Sequence, residues 1–217
     1  MSQPNVMSQP NVMAAKELSL VATAPSFGTQ LRHAVTMLVA LTLLTGVAYP
    51  LVITGVARMA FPDQASGSLV VRDGKAIGSR LLGQPFEDPR YFWSRISTTA
   101  PAPYNAQASG ASNLGPTNKA LTDAAKARIE ALRAADPGNA APVPVDLVTS
   151  SGSGLDPHIS LAAAEYQLAR VARARHLAED AVRHLLRTNT DDRDLLVLGE
   201  PRVNVLLLNL SLDQMSP

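Results

Sequence analysis

Between Ser151 and His158 the chain reads Ser-Gly-Ser-Gly-Leu-Asp-Pro-His, which brings serine, aspartate and histidine within a few positions of each other. Residues of these types can build a nucleophile with its base, an anion cradle or part of a metal site, and spacing tests each one. A hydrolase elbow needs Gly-x-Ser-x-Gly between a strand and a helix, whereas Gly152-Ser153-Gly154 lacks the outer spacers. Asp156 and His158 stand two apart around Pro157, a spacing that does not easily give a base and orienter aimed at Ser153. A membrane-anchored hydrolase using Ser153 and His158 is therefore the alternative reading, not the leading one. The histidines His33, His158, His176 and His184 show no ligand spacing, and the chain has no cysteine. No Gly-Lys-Ser/Thr phosphate loop occurs, although a Gly/Ser loop opening onto a helix start has amides that can hold an anion. The plainest expectation is structural: Asp156 caps a helix, Pro157 occupies its first turn, and the glycines let the chain turn tightly before it.

The elements that would position these residues begin with a membrane segment. From Ala34 to Ala57 no residue carries an ionisable acid or base, and Arg32-His33 and Arg58 bound the run. At about 1.5 Å per residue such a run reaches roughly 36 Å, enough to cross a hydrocarbon core of about 30 Å. A cleaved signal would be shorter, about 7 to 15 apolar residues, with a small-x-small site that Val56-Ala-Arg-Met-Ala does not supply. A buried core helix of this length without charge is uncommon in soluble domains. Within the span Thr42, Gly46, Pro50 and Thr54 recur every fourth residue, a stripe on which a partner helix can pack closely. Lys16 and Arg32 before the helix balance Arg58, Arg72 and Lys75 after it, so positive charge does not choose an orientation.

Three parts follow: a disordered tail over residues 1–30 containing Met-Ser-Gln-Pro-Asn-Val twice, a transmembrane helix over 34–57, and an extramembrane domain over 58–217. The domain is expected to be mixed α+β. Asp73-Gly74 between apolar runs predicts a hairpin. Residues 83–118 hold Phe86, Tyr91, Phe92, Trp93 and Tyr104 among Pro, Gly, Asn and Ser, a long irregular stretch that is either functional or packed on itself. Asn118 caps a helix that Asp136-Pro137-Gly138 stops, and residues 141–149 look extended. Helices are expected over 161–176, with Leu161, Glu165, Leu168 and Ala172 on one side, and over 178–187. In the apolar run after Glu200, Pro201 at a first turn favours a buried helix, while alternation in the last half would suit a strand.

With 217 residues, 46% apolar, 4% aromatic and formal net charge +1, the chain shows no signature of a nucleic-acid binder. No aspartate precedes a lysine, so the phosphorylated motif of P-type pumps is missing, and one span cannot build a ring of filter carbonyls. The chain is neither pump nor pore by itself.

Five stretches carry a resemblance to a known family: LTLLTGVAYPLVITGVA at 41–57, GQPFEDPRYFWSR at 83–95, PYNAQASGASNLGPTN at 103–118, PVDLVTSSGSGLDPHIS at 144–160 and EPRVNVLLLNL at 200–210. Over nearly all its length the sequence resembles KdpC, the C subunit of the Kdp P-type potassium-transporting ATPase. It departs from that pattern at Ser94 and Ile96, which replace glycine and proline, at Ala111, which replaces glycine, and at Lys119, which replaces proline. The resemblance implies a non-catalytic, single-pass subunit of the bacterial inner membrane, with a cytoplasmic N-terminus and a periplasmic domain. Its implied partners are a potassium-translocating A subunit, a P-type ATPase B subunit and a small F subunit. No cofactor is expected to bind this subunit firmly, because the complex handles ATP and potassium. The resemblance also implies a catalytic chaperone that raises the ATP affinity of the B subunit. On that account Ser151, Gly152, Ser153, Gly154, Asp156 and His158 form a partner-facing or nucleotide-proximal loop. Tyr91, Trp93, Arg95 and Tyr104, followed by Asn105, Ser109, Asn113 and Asn118, are the candidates for docking.

Overall fold

The computed structural model describes residues 25–215, which divide into one unit ending at Ala60 and another beginning at Phe61. The tandem repeat, Lys16 and most of the expected tail lie outside the described residues. The tail's last positions do not belong to it, because a helix already starts at Phe27, where Ser26 accepts a capping bond from the Thr29 amide at 3.4 Å.

The first unit is one apolar helix, Phe27–Ala60, of 34 residues with mean hydropathy 2.0. It comprises α1 (Phe27–Leu43), a widened turn over Leu44–Ala48, and α2 (Tyr49–Ala60). In the widened turn the Tyr49 amide reaches back five residues to the Leu44 carbonyl. Pro50 supplies the physical reason: having no N–H, it cannot bond the Gly46 carbonyl, and the helix relaxes the turn just before it. Thr45 Oγ1 also donates to the Leu41 carbonyl at 2.7 Å, which loosens the same turn. A four-residue spacing overshoots a 3.6-residue turn, and a turn that takes up extra residues cancels that drift. The stripe of Thr42, Gly46, Pro50 and Thr54 is straighter for it, and all four residues are exposed.

The second unit is the mixed α+β domain that patterning predicts. A short helix α3 (Pro62–Ala65) leads to the hairpin β1 (Leu69–Arg72) and β2 (Lys75–Ser79), joined at Asp73-Gly74 with φ of 51° and 74°. Positive φ at both central residues is what a two-residue hairpin turn demands. The register shifts between Val70 and Val71, so a bulge interrupts the pairing. Helix α4 (Lys119–Ala135) starts where expected, with Asn118 Oδ1 accepting from the Ala120 amide at 2.9 Å, and Asp136 ends it. The segment expected to be extended contains a tight helical turn at Val145–Leu147. Strand β3 (His158–Ser160), helix α5 (Leu161–Ala174), helix α6 (Glu179–Thr188), β4 (Thr190–Asp191), β5 (Arg202–Asn204) and α7 (Val205–Met215) complete it. The three strands form an antiparallel sheet in the order β3-β5-β4, with Ile159 opposite Val203 and Thr190 opposite Val203.

Three local expectations are corrected. Pro201 does not open a helix. It precedes β5, and the helix starts at Val205. Asp156 does not cap α5 either, because β3 intervenes and Ser160 takes the cap, its Oγ accepting from the Ala163 amide at 3.0 Å. Asp146 in turn anchors that cap, accepting from the Ser160 amide at 2.7 Å and its hydroxyl at 3.1 Å. Finally, the buried face of α5 is Ala163, Ala164, Gln167, Leu168, Val171 and Ala172 together with Arg170, while Leu161 and Glu165 are exposed. The core packs this face against Phe92, Leu132, Leu147, Leu186, Val203 and Leu208.

Candidate functional site

The two stretches singled out from sequence, 83–118 and 150–160, fold as one body. Gly83 N–H donates to the Leu155 carbonyl at 2.9 Å and Gly110 N–H to the Ser153 carbonyl at 2.8 Å. Ser97 Oγ donates to the Gly154 carbonyl at 2.7 Å, Ser109 Oγ to the Ser153 carbonyl at 3.2 Å, and Ile96 bridges Ser150. The long loop is thus packed on the Ser/Gly loop, which satisfies backbone groups that no sheet ladder reaches. Arg95 is the tie between them: it donates to Asp156 Oδ2 at 3.3 Å, the Ser150 carbonyl at 3.1 Å and Thr149 Oγ1 at 3.5 Å.

Gly154 is where the clasp is tightest. Its φ is +67°, and a Cβ there would stand 2.8 Å from the Gly110 carbonyl oxygen and 2.8 Å from Thr99 Cγ2. Gly154→Ala is expected to cost about 2–3 kcal/mol, the sum of a left-handed penalty and a backbone clash that cannot rotate away. Thermal unfolding of the purified chain checks this, and an unchanged midpoint would show that the loops can part without loss. Gly152, by contrast, has open space around it.

Asp156 and His158 do meet, which the sequence reading did not expect. A turn closed by Asp156 Oδ1 on the His158 amide at 3.0 Å brings the His158 Nδ1 within 3.2 Å of the same oxygen. Ser153 is not aimed at them: its Oγ accepts from the Leu155 amide at 3.1 Å and lies 3.4 Å from Ser151 Oγ. Burial alone would raise the Asp156 carboxyl, but the ring and amide of His158 and the Arg95 guanidinium outweigh it and hold the group below its ordinary value. The folded state therefore binds the Asp156 proton less readily than the unfolded chain does, whose value is about 3.9. Its stabilising contribution is present above that value and is lost as pH falls through the folded one. Stability followed from pH 6 down to 2 is expected to fall over this window, and Asp156→Asn is expected to flatten the fall. A variant with the wild-type pH profile would remove Asp156 from the account.

The candidates for docking separate into buried and exposed sets. Trp93 is buried, with Arg128 and Arg170 guanidinium carbons 4.9 and 4.8 Å from its ring centroid. Its indole N–H donates to the Asp88 carbonyl at 3.0 Å. Tyr91 is partly buried under Arg175, with its hydroxyl 3.4 Å from Asp213 Oδ2. Tyr104 donates to the Arg95 carbonyl at 2.7 Å, and burial raises its phenol above the ordinary value. Asn105 caps the turn at Ala106–Ala108 through the Gln107 amide, and Asn118 caps α4. Ser109 and Asn113 are exposed, Asn113 at a φ of 52°.

Two buried residues that sequence reading assigned no role hold this whole segment in place. Gln167 accepts from the Trp93 amide at 2.8 Å and donates to the Trp93 carbonyl at 3.2 Å. Asn209 does the same for Phe92, at 2.9 and 3.0 Å. Each side-chain amide takes the place of a neighbouring strand, so two consecutive peptide units cross the core fully paired. Arg170 joins them, donating to Gln167 Oε1 at 2.7 Å, Pro89 O at 2.5 Å and Tyr91 O at 3.1 Å, and burial pulls its guanidinium down to about 10. A local signal for this existed: Phe92 and Trp93 demand burial, yet no strand pattern nearby could pair their backbone.

A chain of this class joins one long, exposed apolar helix to an α+β domain whose polar side chains are largely engaged in holding its own loops. Among the described residues no three His, Asp or Glu side chains converge. The particular family is given by comparison: a family model described as K+-transporting ATPase, c chain (KdpC) matches residues 31–214, and the chain belongs to that family. Curated relatives carry the name potassium-transporting ATPase KdpC subunit. One from Sorangium cellulosum is 66% identical over 183 residues, 84% of this chain and 96% of the relative. One from Polaromonas naphthalenivorans is 64% identical over 187 residues, 86% and 95% of the two chains. One from Methylococcus capsulatus is 62% identical over 182 residues, 84% and 96%.

Proposed function

We propose that this chain is a single-span accessory subunit of an ATP-driven potassium uptake complex, non-catalytic alone, that assembles with and stabilises the subunits carrying the ion and hydrolysing ATP. The observation that carries the reading is the family match across residues 31–214, which takes in the apolar helix and the domain together. The helix supports membrane anchoring, since it is long and apolar enough to span and its 18-residue apolar window is 0% buried in the structure. Placing the N-terminus in the cytoplasm and the domain in the periplasm belongs to the same reading, as does packing of a partner helix on Thr42, Gly46, Pro50 and Thr54. Coexpression with the pore-like A, ATPase B and small F subunits of such a complex tests it: the chain is expected to copurify with them from membranes. A stable isolated chain that leaves the complex intact without it would sink the reading.

Any influence on the nucleotide affinity of the ATPase subunit is then transmitted through the assembly. Periplasmic residues cannot reach cytoplasmic ATP, and in the Ser/Gly loop the carbonyls of Ser150, Ser151, Ser153, Gly154 and Leu155 and the Gly154, Leu155 and His158 amides are engaged internally. Photoreactive ATP is expected to label the ATPase subunit and not residues 150–160. Labelling of that loop in the intact complex would reverse this account.

A further inference from the structure

We propose that the loop between β4 and β5 is a plug that inserts its apolar tip into a pocket on another subunit, one whose rim carries lysine or arginine. The proposal rests on the accessory-subunit reading and adds a surface to it.

The tip is Leu195-Leu-Val-Leu198, and these four consecutive residues are 83, 85, 73 and 57% exposed. Runs of three or four exposed apolar residues are avoided on soluble surfaces unless something covers them. The conformation is built, not slack. Asp194 and Leu198 exchange two backbone hydrogen bonds of 2.9 Å each, closing the turn. Below it Arg193 pairs with Glu200 at 2.6 Å, and Arg202, in β5, reaches Asp194 at 3.4 Å. Leu195 and Leu196 both hold positive φ, 52° and 67°, and Gly199 adds a third left-handed residue at 77°. Leucine rarely adopts such a backbone. The stem thus holds two leucines in an unfavourable conformation that leaves their side chains out in solvent, and a binding element that is already ordered loses less entropy when it docks.

Charge identifies the occupant. Asp191, Asp192, Asp194 and Glu200 flank the tip in sequence, all exposed; Arg193 and Arg202 pair with Glu200 and Asp194, which leaves Asp191 and Asp192 as the net charge of the collar, and no lysine lies between residues 189 and 204. An anionic bilayer surface repels such a collar, whereas membrane-inserting elements are flanked by cations. A second copy of this chain would bring an identical acidic collar against the first, placing like charges opposite each other. A protein pocket with an apolar floor and a basic rim satisfies both the tip and its collar.

The test places p-benzoylphenylalanine at position 196 of the full chain, coexpressed with the A, B and F subunits in membranes, and irradiates it. The expected product is an adduct with another subunit, mapped to an apolar segment near lysine or arginine. An adduct with lipid alone or with a second copy overturns the proposal, as does the absence of any adduct while the complex forms at normal yield. Changing Leu195, Leu196 and Leu198 together to serine is expected to lower copurification about tenfold or more with an unchanged unfolding midpoint. Asp191→Lys with Asp192→Lys is expected to lower it severalfold, more so at low salt. Undiminished copurification of the serine variant overturns the plug, and undiminished copurification of the lysine variant overturns the basic rim. If the unaltered chain itself fails to copurify, the accessory-subunit reading falls first, and the plug falls with it.

Discussion

Trp93→Ala is expected to destabilise the domain by about 3–5 kcal/mol, the range for truncating a core aromatic. Domains of this size are stable by only about 5–15 kcal/mol, so such a loss is a large share of the whole. Three contributions act together. The indole fills the core beside Phe92 and Leu168, its N–H satisfies the Asp88 carbonyl, and its ring lies under the guanidinium groups of Arg128 and Arg170. Removing the ring leaves a cavity and takes away the π face that helps compensate Arg170, a cation with no direct carboxylate partner among its hydrogen bonds. Thermal unfolding followed by far-UV circular dichroism measures the loss, since Trp93 is the single tryptophan and cannot report on its own absence. The experiment also separates two roles. A residue that docks a partner would leave the unfolding midpoint alone and reduce copurification, whereas a core residue shifts the midpoint in the isolated chain.

Gln167→Leu is expected to cost about 3–4 kcal/mol although it conserves volume and adds apolar surface. The amide of Gln167 serves the Trp93 N–H, the Trp93 carbonyl and one Arg170 N–H, all of them buried. Leucine strands these groups, and each buried polar group left without a partner costs about 1–3 kcal/mol. Gln167→Glu is expected to be milder at neutral pH. A carboxylate still accepts from Trp93 and Arg170, and it neutralises a buried cation, but it cannot donate to the Trp93 carbonyl. Urea unfolding of the three chains checks the order wild type, Glu, Leu. If leucine proved neutral or stabilising, the clamp would be dispensable.

Some features were legible because their causes are local. Asp73-Gly74 makes its turn from two residues that tolerate positive φ, and Asn118 caps α4 with its own side chain. Such devices act over two or three residues, and a reader of the chain meets all their parts at once. The absence of charge from Ala34 to Ala57 is similarly local, although the helix extends further at both ends. Polar composition alone carries the tail to residue 30, whereas a helix capped by Ser26 already starts at Phe27.

Other features depended on partners far along the chain. Asp156 looked like a helix cap until β3 formed, and β3 exists only because residues 202–204 lie beside it. The spacing of Leu161, Glu165, Leu168 and Ala172 finds only half of the buried face of α5, since Leu168 and Ala172 lie on it while Leu161 and Glu165 are exposed. The true face is selected by Phe92 and Trp93, whose peptide groups need Gln167 from within it.

Legible along the chain are the long apolar helix, the α+β class, the hairpin, most helix ends and, through five long stretches, the family. Apolar patterning, caps and turns are short-range causes, and they operate before the chain has folded. The tertiary structure alone decided that the long aromatic loop and the Ser/Gly loop are one body, that Asp156 meets His158, and that Trp93 faces inward between two arginines. It alone decided too that Leu195–Leu198 stays exposed above a salt-bridged stem. Burial and pairing of a polar or apolar group depend on what comes to lie beside it, and in this chain those neighbours can be remote, 117 residues apart for Phe92 and Asn209.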